Sequence, residues 1–348
     1  MGLAGQVRRL VLTLAVGAAG GAGFAAVGWP AAWLMGAMVA TAIVALSGVR
    51  LGLPGQVRNL AYVLLGISIG SNVTPESLGQ VGAWPGSIAI LGVSVAVTML
   101  ASAAYLEKVH GWDRTTARFA SMPGAFSAVA VIALDSDADM PRVVLAQSLR
   151  IFVLVVLIPP ILVVLTGAGE GAATGLAGPA TNTAAEALLT FGLSAAAAGL
   201  LGWLRVPAGV LLGAMVASAV LHATGLVHGR FPPALVIAGF VATGSVIGAR
   251  FYGTRMETVA RTIPAAVVSV LVALVISAGI AAIGARVLGL PFGEVWLAYA
   301  PGGVEAMAAM ALSLGLDPAF VGAHHVLRIL GLNLVSSLWL TGGRSRRD

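Results

Sequence analysis

Two arginines stand where charge is most costly. Arg150 and Arg328 each lie about eight residues inside a long apolar run, roughly 12 Å from its start at 1.5 Å per residue. A guanidinium left unpaired at the centre of a bilayer costs at least about 2.5 to 3.5 kcal/mol, so each must face protein or water. A break precedes each one: Pro123 and Gly124 before Arg150, and Pro301, Gly302 and Gly303 before Arg328. Proline removes a backbone donor and glycine relaxes the chain, so a helix is expected to begin at each break rather than run through it. The N-terminus of such a half-helix carries free N–H groups and partial positive charge. Two arginine forks and two half-helix termini together make a clamp for a carboxylate or another anionic solute. The competing reading is structural: the arginines bridge to carbonyls freed at the breaks, or Arg150 snorkels to the interface.

Glu305 and Ser127 hold equivalent places in the first turn after the two breaks. Such a residue either caps the half-helix or, facing a cavity, serves as ligand for a proton or cation. Gln147 is a further polar candidate, close before Arg150. Asp139 and Asp317 read as helix caps. No metal site is expected. The five histidines are scattered, and the adjacent pair His324 and His325 would point in different directions on a helix. Asp135, Asp137 and Asp139 lack the glycine and glutamate of a calcium loop. No nucleophile elbow, phosphate loop or HExxH pattern occurs, so neither catalytic residues nor a cofactor are expected, and the chain is not read as an enzyme.

The elements that position these residues are membrane helices. The 348 residues are 59% hydrophobic and 9% charged, against about 25% charged in ordinary globular proteins. Apolar runs of spanning length recur from end to end, whereas the alternating ten-residue segments of a barrel are missing. With no cysteine, disulfides and thiolate metal sites are excluded. The net charge of +6 does not imply nucleic acid, because the basic residues sit singly at the ends of apolar runs.

The chain repeats itself. LMGAMVATAIVALSG from residue 34 answers LLGAMVASAVLHATG from 211, GISIG from 66 answers GSVIG from 244, and SMPGAFSAVAVIAL from 121 answers YAPGGVEAMAAMAL from 299. QSLRIFVL from 147 answers HVLRILGL from 325. We therefore divide the chain into a first membrane repeat (1–166), a linker (167–186), a second membrane repeat (187–341) and a basic cytoplasmic tail (342–348). If the segment after each break enters and returns, each repeat has five crossings and the two are inverted. All of the 19 basic residues except Arg230, Arg286 and the two intramembrane arginines then fall on one face, as positive-inside topology requires. Six crossings per repeat would move Arg205, Arg250, Arg255 and Arg261 to the outer face.

The duplicated L-(M/L)-G-A-M-V-A segment, with P-G-(A/G)-x-(S/E) followed by S-L-R or V-L-R, resembles the AbrB-type bacterial membrane protein family over residues 8 to 341. Family labels include ammonia monooxygenase and AbrB family transcriptional regulator. A copper or iron oxygenase needs clustered ligands that the five histidines do not supply. Direct transcriptional control needs a basic DNA-reading element, and the family shares its name with an unrelated soluble DNA-binding regulator. The expectation is an all-α, polytopic integral membrane protein of the bacterial inner membrane with both termini cytoplasmic. It would have two inverted repeats of about five transmembrane helices, each with a re-entrant or broken half-helix. Its expected role is secondary transport of a small anionic solute through a midplane site, coupled to H⁺ or Na⁺. The alternatives are a membrane sensor acting on gene expression indirectly and, behind it, a membrane-bound monooxygenase.

Overall fold

The structure, a computed structural model, describes residues 3–72, 82, 84–123, 137–167, 182–254 and 256–343. Gly124, Ser127, Asp135, Arg255, most of the expected linker and the tail from 344 onward lie outside the described residues. Among the described residues there are thirteen α-helices and no β-strand. The first half holds α1 (Leu3–Ala26), α2 (Ala32–Leu46), α3 (Gly55–Gly70), α4 (Trp84–His110), the short α5 (Arg114–Ser121) and α6 (Met140–Thr166). The second half holds α7 (Ala184–Trp203), α8 (Gly209–Ala223) and α9 (Pro233–Gly248), which a 3₁₀ turn (Ala249–Phe251) extends. After them come α10 (Met256–Leu288), α11 (Phe292–Tyr299), α12 (Val304–Ser313) and α13 (Pro318–Gly343).

Six of these are long and apolar enough to cross a membrane: α1, α4, α6, α7, α9 with its 3₁₀ turn, and α10. The chain is thus an all-helical protein of polytopic membrane character. Fewer helices meet that length than the roughly ten crossings expected. Helices α2 and α8 are apolar but have 15 residues each. At 1.5 Å per residue they reach about 22 Å, short of the roughly 30 Å hydrocarbon core. Both start abruptly. Pro30 and Pro207 precede, rather than occupy, the first helical turn, and the N-caps Ala31 and Ala208 are left-handed, with φ of 51° and 54°. Alanine rarely adopts that conformation, and here it occurs at equivalent places in both halves.

Glycines set how the helices touch. A Cβ on Gly36 would strike the Gly20 carbonyl of α1, and one on Gly213 would strike the Ala197 carbonyl of α7. Across the halves, Gly66 and Gly70 of α3 lie on the backbone of α8 at Leu211 and Met215, while Gly244 and Gly248 of α9 lie on α2 at Leu34 and Met38. Each half therefore presents its glycine-bearing helix to the other half's α2 or α8. In lipid, where neighbouring tails are as apolar as leucine, such backbone approach is a main source of helix association.

Helices α4 and α10 join the halves at a second seam. Gly86 faces Leu288, Ile90 faces Gly284, and Ser102 Oγ donates to the Ser269 carbonyl at 3.1 Å. Numbers rise along one helix as they fall along the other, so the two pack antiparallel. The largest buried cluster gathers around α11 and α12, including Trp296, Tyr299, Met307 and Met310.

Candidate functional site

The second break is the tip of a hairpin, and the first, at the end of α5, is the tip at the same register in its own half. The run expected from 298 to 314 is two helices, α11 and α12, separated by residues 300–303, and not a single half-helix. The Asp317 amide, just past α12, donates to Glu294 Oε1 at the start of α11 at 3.2 Å. The chain that goes in along α11 and comes back along α12 has thus returned to its starting level, with residues 300–303 at its far end. In the first half α5 is the counterpart of α11, and the Asp139 amide donates to Thr116 Oγ1 at 2.8 Å. These are the same two positions, 178 residues earlier. Asp317 Oδ1 then accepts from the amides of Ala319 and Phe320 at 2.8 and 3.1 Å, and Asp139 Oδ1 from that of Arg142 at 3.2 Å, starting α13 and α6.

The arginines reach the tips. Each is ten residues from the start of its helix, Met140 for α6 and Pro318 for α13, or about 15 Å. Arg328 Nη1 donates to the Ala300 carbonyl at 2.7 Å, and its Nη2 donates to that of Gly302. Arg150 Nη1 donates to the carbonyls of Met122 at 3.1 Å and Ala120 at 3.3 Å. The physical reason lies at the ends of α11 and α5, where the last carbonyls lack helical partners and carry roughly half a negative charge. The guanidinium groups satisfy them and are partly neutralised by them. Gln147 does similar work, donating from Nε2 to the Phe119 carbonyl at 2.9 Å. Its counterpart His325 is fully buried beside the Ala298 carbonyl, yet neither ring nitrogen meets hydrogen-bond geometry.

The arginine donors expected to meet a solute are therefore largely engaged by backbone. Arg150 and Arg328 are 6% and 4% exposed, and only Nε of each is buried without a partner. Pro123, Pro301 and Gly302 are buried and Gly303 is half-buried. Glu305 is the second residue of α12, half-buried, in the turn where the helix dipole favours a carboxylate. It accepts no capping bond, since the N-cap is Gly303 and no side chain bonds the α12 amides. Tyr62 of α3 lies within its electrostatic reach.

The two tips meet at a cavity of about 20 Å³. Its walls include Ser121 and Arg150 of the first tip, Pro301 of the second, and Thr98, Ser102 and Ser269 from α4 and α10. That volume accommodates about one water molecule. The equivalent place at the second tip is filled. Where the first half has Ser121 and Ala146, the second has Tyr299 and His324. The Tyr299 hydroxyl donates to the Ser87 carbonyl at 2.8 Å and lies 3.0 Å from Ser87 Oγ. His324 bonds the Phe320 carbonyl through Nδ1 at 2.8 Å and Ser87 Oγ through Nε2 at 3.0 Å. A carbonyl can only accept, so Nδ1 carries the proton and Nε2 of the neutral ring accepts from Ser87.

Sequence reasoning singled out neither Ser121 nor the Ser87, Tyr299 and His324 network. The signal was present in the duplication, which sets Tyr299 opposite Ser121. Among the described residues no three His, Asp or Glu side chains gather closely enough to hold a metal. The donor set therefore does not fit the metal that an oxygenase would require.

A family model described as Transition state regulatory protein AbrB matches residues 2–70 and 33–341. The chain is 32% identical over 325 residues to the Escherichia coli (strain K12) protein named "Putative regulator AbrB", covering 90% of both. It is 28% identical over 344 residues to "Uncharacterized protein YhjN" of Bacillus subtilis (strain 168), covering 91% of this chain and 88% of that protein.

Proposed function

Since the chain belongs to the AbrB family, whose model matches it from residue 2 to residue 341, we propose that this member is a secondary transporter and not an enzyme. The cargo is a small anionic solute, taken from a site between two inverted repeats in the bacterial inner membrane, with both termini cytoplasmic and with H⁺ or Na⁺ as coupling ion. The observation that carries this reading is the meeting of the two tips, each tied by a buried arginine, at one cavity walled in part by hydroxyls. Non-helical backbone at membrane depth is tolerated where it is buried in protein or lines a cavity, and broken helices at the repeat interface are the common solution for solute sites in transporters. The antiparallel packing of α4 on α10, which hold equivalent registers, supports inversion of the repeats. The left-handed N-caps and the reciprocal glycine contacts, repeated in both halves, support a duplicated unit.

Purified protein in liposomes is expected to accumulate a small anion under an imposed H⁺ or Na⁺ gradient, and Arg328→Ala is expected to abolish uptake. Full uptake in that variant would remove the tips from the transport cycle. One observation favours a second reading, in which the protein senses a solute and acts indirectly on gene expression. The E. coli relative carries a regulator's name, and the cavity has room for about a water and no more. Single cysteines at 75–82 and 252–260, in a chain with no native cysteine, would be labelled from opposite sides if the repeats are inverted. A site labelled from one face under every condition favours sensing over transport.

A further inference from the structure

Resting on the transport reading, we propose that the solute carries a single carboxylate and that the first tip alone takes it, through Arg150 and Ser121. Two donors at the cavity have nothing to donate to. Ser121 Oγ, in a residue 8% exposed, and Arg150 Nε, in one 6% exposed, are both without partners, and both residues form its wall. A buried donor left unsatisfied costs about 1 to 3 kcal/mol, so two of them on residues that wall one gap point to an absent acceptor there. The neighbouring hydroxyls do not compete for it. Thr98 donates to the Ser94 carbonyl at 2.6 Å, and Ser102 to that of Ser269 at 3.1 Å. A carboxylate has two oxygens and only accepts, which matches one guanidinium N–H and one hydroxyl.

Charge and space point to the same tip. Arg150 is offset by roughly half a negative charge at the end of α5, and no Asp or Glu lines the cavity, so one anionic group completes the balance. A doubly charged head would leave buried negative charge in excess of the single guanidinium. Val270 and Ala273 supply an apolar wall, and in a gap the size of a water only the head group is placed here. The second tip has an unpartnered Arg328 Nε of its own but lacks the space. Tyr299 and His324 occupy the equivalent place, both terminal nitrogens of Arg328 are engaged, and Glu305 already supplies a carboxylate beside residue 303. Pro301 walls the first-tip cavity, so a head group bound there touches the second tip and must part the two in order to leave. The closed cavity holds the head's position, and the rest of the solute needs the tips to open.

The test is ligand-dependent thermal stability and calorimetry on the purified full-length protein in detergent, at constant ionic strength. The probes are sodium acetate, lactate and pyruvate, with sodium phosphate and chloride as other anions. A monocarboxylate is expected to raise the melting temperature. Ser121→Ala should leave the ligand-free melting temperature unchanged, because its hydroxyl has no partner to lose, while weakening monocarboxylate binding about tenfold. Ala273→Val, which adds two methyl groups to the cavity wall, should abolish the shift. The proposal is overturned if both variants bind as the parent does, if phosphate or chloride stabilises more than any monocarboxylate, or if none of the probes acts and the cavity is a water site. Liposome uptake separates this from the reading beneath it. Flux of a different solute class with no carboxylate binding overturns the first-tip site alone. Ser121-dependent binding with no flux of any probe overturns transport and leaves the site standing for a sensor.

Discussion

The two tips share a register and differ in finish. At the second, Arg328 grips two carbonyls with two nitrogens, Tyr299 and His324 fill the space behind, and Glu305 stands in the next turn. At the first, Arg150 reaches two carbonyls from one nitrogen at longer range, and the space behind is a small gap lined by hydroxyls. The duplication kept the backbone device in both halves while the side chains around it diverged. Both tips keep an arginine Nε without a partner, so what separates them is space: a filled tip suits a fixed anchor, and one with a gap suits a ligand.

Thermal or chemical unfolding of single variants can break or sharpen that contrast. Arg328→Ala removes two charge-assisted bonds from buried carbonyls and should cost the most, about 3 to 6 kcal/mol at roughly 1.5 to 3 each. Arg150→Ala breaks longer contacts made by one nitrogen and should cost about 2 kcal/mol. Equal losses for the pair, measured as a midpoint shift at constant denaturant slope, would erase the difference between anchor and ligand tip. Tyr299→Phe deletes the hydroxyl bonded to Ser87 and should cost about 1 to 2 kcal/mol, with the buried Ser87 left short of a partner. A neutral result there would mean that the second tip is not held by this network. Glu305→Gln should change stability least, by about 0.3 to 1 kcal/mol, because it alters only a half-buried charge in the dipole of α12 and no capping bond. A loss well above that range would mark Glu305 as held by a partner and tie the charge balance of the second tip to it.

Much of this was legible in the residues. Proline and glycine act locally, so the breaks at 123 and 301 are evident without a fold. The spacing of 178 paired Arg150 with Arg328. What local reasoning missed follows from the same locality. Helices α5 and α11 are two turns long, too short for periodicity to separate them from the loops and runs beside them. Gly36 and Gly213 stand in the duplicated segments from 34 and 211, but nothing nearby in the chain says that Gly66 rests on α8 or Gly244 on α2. His324 was set aside for want of a metal partner, and its actual partner, Ser87, is 237 residues away.

By itself the sequence determined an apolar helical chain, its twofold duplication, the two breaks and an arginine deep in the apolar run after each, because composition, period and backbone chemistry are properties of short segments. Only the tertiary structure decided that the guanidinium donors go to the carbonyls at the tips, that the tips meet, and that one keeps a gap where the other holds a tyrosine and a histidine. Those outcomes depend on which distant groups a buried donor can reach. That is fixed when the helices pack, not when they form.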